Sequence, residues 1–119
     1  MFRLGKDRKQ LQPLISPDEL SVTGERHYKE SIEHLIRTHA DGKLVWRTIA
    51  MLSRDAKNEF AKFAVEIQVD GHRVGYIHRD HCEKVWQLIG PNGIQLDCCI
   101  RWNGEPSHGV YDVKLFAPL

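Results

Sequence analysis

Apolar residues recur at every second position along much of this chain and at every third or fourth in two segments, and the change of period marks the elements. From Tyr28, the positions Tyr28, Ile32, Leu35 and Ile36 keep helical spacing, and Asp41-Gly42 supplies a stop. The run KLVWRTIAML from Lys43 is rich in β-branched and aromatic residues. It places Leu44, Trp46, Thr48, Ala50 and Leu52 on one face and Val45, Ile49 and Met51 on the other, which predicts a strand largely buried on both faces. Two shorter strands, about 62–69 and 72–77, flank Asp70-Gly71, a pair that tolerates the positive φ of a type I′ turn. The segment DHCEKVWQLIGPNG then sets Asp80 as N-cap with Glu83 three residues on. Its stripe is Cys82, Val85, Trp86 and Ile89, and Gly90-Pro91 ends it. A second hairpin closes the chain: Ile94, Leu96, Cys98, Ile100 and Trp102 alternate with Gln95, Asp97, Cys99 and Arg101, and GVYDVKLF alternates again beyond the loop NGEPSH.

Five or more strands interrupted by two helices, with no regular βαβ alternation and no internal repeat, predict an α+β fold. The expected architecture is a small, strongly curved antiparallel sheet, an OB-like or SH3-like barrel with two helices. At 119 residues and 41% hydrophobic the chain supports one domain and one core. Residues 1–18 carry Arg3, Lys6, Arg8 and Lys9 ahead of Pro13 and Pro17 and read as a flexible basic arm, so the domain is expected over 19–119.

Charge narrows the function classes. Seventeen Lys and Arg against sixteen Asp and Glu leave +1, so no global field draws the chain to nucleic acid or membrane, and any nucleic-acid site must be local. No segment approaches bilayer-spanning length and the N-terminal run lacks a signal peptide's apolar stretch. Three cysteines, two of them adjacent, do not make a disulfide framework, and a reduced, cytoplasmic protein is expected.

Catalytic patterns are lacking. There is no Gly-x-Ser-x-Gly elbow and no Gly-x-x-x-x-Gly-Lys phosphate loop, and Glu66-Ile67-Gln68 lacks the lysine of a metal-dependent nuclease strand. No enzymatic activity and no cofactor are expected. His78, His81 and Cys82, with Cys98, Cys99 or His108, contain zinc-ligand types but no paired Cys-x-x-Cys, and Cys82 and Cys98 sit where a thiol serves as a small core hydrophobe. Trp46, Trp86 and Trp102 likewise fall on faces expected to be buried. The exposed candidates are Arg54, Lys57, Asn58 and Phe60 in one loop, and Tyr76, His78 and Arg79 where the hairpin meets the second helix. A loop aromatic beside cations and amides suits single-stranded nucleic acid, whose bases stack on the ring while cations meet phosphate.

Across LSRDAKNEFAKFAVEIQVDGHRVGYIHRDHCEKVWQLI, preceded by SVTGERHY, the chain resembles the HIRAN domain over about residues 20–116. That family typically reads as a leucine, an Asn-Pro-aromatic-Asp-x-Asn-Ala loop, an Ala-Val-x-Val strand, a turn, Val-Gly-Tyr or Val-Gly-His, and a helix. Asn58, Phe60, Ala64 and Val65 match the loop's Asn, aromatic and Ala-Val, and Val74, Gly75 and Tyr76 match the Val-Gly-Tyr. The resemblance implies an OB-like barrel and a DNA-binding accessory module in repair, replication or processing. Its implied partners are single-stranded DNA and a helicase or nuclease protein. Glu59, Ala61 and Phe63 depart from the family's Pro, Asp and Asn, and Leu20-Ser21 stand where DNA-binding members have Arg-Tyr. With no carboxylate at 61, strict 3′-end recognition is not expected. The nucleic-acid reading rests on Arg54, Lys57, Asn58, Phe60, Tyr76 and Arg79. The alternative is a protein-interaction or regulatory module that keeps the barrel without the DNA site. Cations converging beside Phe60 and Tyr76, with Arg73 among them, favour the first; scattered cations favour the second.

Overall fold

The structure is a computed structural model that describes residues 16–39, 45–103 and 110–116. Six strands form one wholly antiparallel sheet: β1 (Val22–Thr23), β2 (Val45–Arg54), β3 (Val65–Val69), β4 (His72–Ile77), β5 (Ile94–Asn103) and β6 (Val110–Leu115). Their spatial order is β1-β4-β3-β2-β5-β6. The sheet curls until its outer strands meet, giving a nearly closed barrel. A half-buried carboxylate spans the remaining seam, where the Val113 N–H of β6 donates to Glu25 Oε2 at 3.4 Å. The α+β barrel with two helices is therefore present, with α1 over Lys29–His39 and α2 over Cys82–Ile89.

Binary patterning explains the core. Inward residues Ala50 and Leu52 of β2, Val65, Ile67 and Val69 of β3, and Ile94, Leu96, Cys98 and Ile100 of β5 are buried. They form one cluster with Ile32, Leu35 and Ile36 of α1 and Val85 and Ile89 of α2. Among the described residues no polar or charged residue is buried. Asp70 (φ 50°) and Gly71 (φ 80°) both take the left-handed conformation, as the expected type I′ turn requires.

Several expectations are corrected. β2 is not buried on both faces: Val45 and Ile49 are each 47% exposed, because both helices contribute to the cluster on the inward side and, among the described residues, none buries these two on the outward one. β3 starts at Val65 rather than 62, since the preceding residues belong to a closed loop. α1 is preceded by a 3-10 turn, Glu25–Tyr28, that takes up Tyr28. The N-cap of α2 is His81, not Asp80. His81 N–H bonds the His78 carbonyl at 2.9 Å, so Asp80 lies within a turn, and its side chain lies 3.6 Å from His78 Nδ1. Cys82 and Trp86 of the α2 stripe, like Trp46, are partly buried and pack against the core rather than within it, and Trp102 is only partly buried, its ring edge-on to Tyr111 at 4.7 Å.

Pro17–Leu20 form a 3-10 turn whose Glu19 accepts from Ser16 N–H (2.9 Å) and from Lys84 Nζ of α2 (2.7 Å), and Leu20 is buried beneath it. The rest of the expected arm, the Asp41-Gly42 stop, the loop 104–109 and His108 lie outside the described residues. Among the described residues, no helix is long and apolar enough to cross a membrane.

Candidate nucleic-acid interface

Between Arg54 of β2 and its register partner Val65 of β3 the chain makes a loop over 55–64. Its base is closed by the Asp55 N–H donating to the Ala64 carbonyl at 2.8 Å. Inside the loop, Asn58 Oδ1 accepts the N–H groups of Phe60 (2.8 Å) and Ala61 (3.0 Å), an Asx-type turn that its type favours. Asn58 Nδ2 donates to Asp55 Oδ2 at 3.3 Å, and the Asn58 N–H donates to the Asp55 carbonyl at 3.1 Å. Tyr76 of β4 then pins the loop to the barrel, its hydroxyl donating to Asp55 Oδ2 at 2.7 Å. The side chain displaced by all this inward-turned polarity is apolar: Phe60 stands 95% exposed.

Phe60, Asn58 and Tyr76 form a wall shared by two clefts. The larger, about 610 Å³, is completed by His27, Tyr28, Asp55, Lys57, Glu59 and Arg73. The smaller, about 220 Å³, is mainly apolar, with Ala61, Ala64, Ile77 and Cys82 in its lining and Arg79 contributing a cation.

A backbone irregularity explains the larger cleft. Ile67 pairs with Gly75 but Gln68 pairs with Arg73, leaving Val74 as the extra residue of a β-bulge. Val74 and Gly75 are consecutively buried, and Arg73 and Tyr76 therefore emerge on one side, although strict alternation would separate them. Gly75 is needed at this point: a Cβ there would lie 2.8 Å from Val22 Cγ1 and 3.0 Å from the Thr23 carbonyl, so only glycine lets β1 close against β4.

The electrostatics are balanced. Arg73 Nε donates to Glu66 Oε2 at 2.9 Å, its Nη2 lies 3.9 Å from Asp55 Oδ2, and its guanidinium sits 5.3 Å over the Tyr76 ring. The Tyr76 hydroxyl, together with Asn58, holds the Asp55 carboxyl below its ordinary range. Desolvation, and then the same Asp55 hydrogen bond, pushes the Tyr76 phenol up, so it stays a neutral donor. Tyr28 flanks this cluster, its ring 6.4 Å from that of Tyr76.

Of the six expected site residues, Lys57, Asn58, Phe60, Tyr76 and Arg79 border the two clefts. Arg54 does not. Its Nε donates to the Trp86 carbonyl at 3.0 Å and its guanidinium lies 4.9 Å over the Trp86 ring, which also meets Phe63 edge-on at 5.6 Å. Asn58 builds the loop, with both ends of its amide already engaged. Asp55, Tyr28 and Glu66 are additions, and Arg73, named among the cations to look for beside Tyr76, lies there but paired with Glu66. Asp55 three residues before Asn58 was a readable turn signal, whereas Arg73's position depends on the bulge. Among the described residues no group of three His, Cys, Asp or Glu side chains is placed to hold a metal ion.

The chain matches no protein-family model, no curated protein and no solved structure.

Proposed function

We propose that this chain is an accessory module that binds single-stranded DNA, with Phe60 as the stacking platform and Lys57 and Arg79 as phosphate contacts. The observation that carries the reading is the Phe60 ring, 95% exposed on a loop fastened by its own hydrogen bonds. A free ring gains by stacking on an unpaired base and has nothing to gain from a duplex whose bases are already stacked. The residue resemblance to HIRAN domains supports the same class, and on that reading the partners are DNA and a helicase or nuclease acting on it.

Anisotropy titrations of a labelled single strand and of a hairpin duplex, at ~50 and ~200 mM salt, test this. The single strand should bind more tightly, and a 3′-hydroxyl should bind like a 3′-phosphate, because position 61 is alanine and the Asp55 carboxylate is engaged. Absence of binding at low salt rules the proposal out.

One observation favours the second reading, a protein-interaction module. Two arginines near the site are paired within the fold, and exposed Glu59 stands beside Phe60. A ring flanked by a carboxylate suits a basic, apolar peptide, and a protein that fails to bind DNA yet loses a partner on Phe60→Ala would establish that reading.

A further inference from the structure

Resting on the single-strand reading, the cations around Phe60 divide into two groups. Arg73 lines the larger cleft but is engaged by Glu66 and Asp55, Arg54 lies on Trp86, and Lys62 sits 5.3 Å from the Phe63 ring centroid. Lys57 and Arg79 are exposed, and neither side chain makes a hydrogen bond or ion pair with a described residue. They do not share a cleft: Lys57 lines the larger and Arg79 the smaller, with Phe60 in the wall between them.

From this placement we infer that the site is a two-phosphate clamp straddling one stacked base, which takes a segment of about three nucleotides anywhere along a strand. One phosphate meets Lys57, the chain crosses the ring with a base resting on Phe60, and the next phosphate meets Arg79. The apolar lining of the smaller cleft, from Ala61, Ala64 and Ile77, receives the face of a neighbouring base. Affinity then comes mainly from stacking. Two phosphate contacts on a single strand release few counterions, so the slope of log Kobs against log salt should be about −1.4, roughly 0.7 per phosphate.

The test is competition of unlabelled oligothymidylates of two, three, six and twelve nucleotides against a labelled dodecamer, over a salt series with the full chain. Affinity should rise from two nucleotides to three and then grow only with the number of registers available. Lys57→Gln and Arg79→Gln should each flatten the salt slope by about 0.7, whereas Phe60→Ala should weaken binding with the slope unchanged. A slope steeper than about −3, or affinity that keeps climbing beyond the register count, overturns the clamp while leaving single-strand binding intact. No binding at any length overturns the single-strand reading and the clamp with it.

Discussion

The barrel interior and the 55–64 loop are organised in opposite senses. Inside the barrel, apolar side chains turn inward and no polar or charged residue of the described chain is buried. In the loop, Asp55 turns inward to accept from Asn58 and from Tyr76 of β4, and the phenylalanine faces water. Burial of apolar area is non-directional and tolerates any side chain of the right shape, whereas the loop depends on particular donors and acceptors at particular positions. The exposure of Phe60 is therefore imposed by the loop's hydrogen bonds and is not a leftover of poor packing. The same contrast holds for two carboxylates: Glu25, desolvated at the barrel seam, is pushed above its ordinary value, while Asp55, supplied with donors, is held below its own.

The largest expected effect lies in the interior. Ile67→Ala, at a completely buried position, should cost about 2 to 5 kcal/mol of stability, while Ile49→Ala at a half-exposed position on the outward face of β2 should stay within about 0.5 kcal/mol. Urea unfolding of the two variants checks this, and similar costs would mean that the outward face is covered.

Next come the two carboxylates, which should show opposite signs of pH dependence. Asp55→Asn should cost about 1 to 3 kcal/mol near neutrality by weakening the acceptor for Tyr76 and Asn58. Because the folded-state value is depressed, that difference is present above the ordinary 3.8 and disappears as pH falls through the lower folded value. Glu25 is raised by desolvation, so its ionised form penalises the fold at neutral pH and the penalty fades as pH falls toward the ordinary 4.5. Glu25→Gln should accordingly raise the melting temperature at neutral pH and leave it unchanged near pH 4. Equal shifts at both pH values would show that the seam does not desolvate this group.

Smallest of all should be the stability change for Phe60→Ala, within about 0.5 kcal/mol, because the ring contributes almost no buried area. A larger loss would place the ring against the barrel in solution.

This contrast also separates what the sequence made legible from what it did not. The alternation of β3 and β5, the Ile32, Leu35 and Ile36 stripe of α1 and the Asp70-Gly71 turn are periodic or strictly local signals, and each matches the structure. The failures cluster where a single residue breaks a period. The turn after His78 moves the N-cap of α2 from Asp80 to His81, and the bulge at Val74, which brings Arg73 to the side of Tyr76, is not visible in the alternation. Arg54 reads as a loop cation but ends β2, where a tryptophan thirty-two residues away claims it through tertiary packing that no local pattern encodes. Phe60 stood out because an aromatic in a polar loop has no periodic reason to be buried. What the sequence could not supply was the polar scaffold, Asp55 with Tyr76, that keeps it out.

The most direct test of the account is the affinity of Phe60→Ala for a short single-stranded oligonucleotide, read by anisotropy against the unmodified chain at the same salt. With stability unchanged, binding should weaken by ~1 to 3 kcal/mol, and by similar amounts for different bases. Affinity equal to that of the unmodified chain would contradict the claim that this ring is the platform on which the ligand rests.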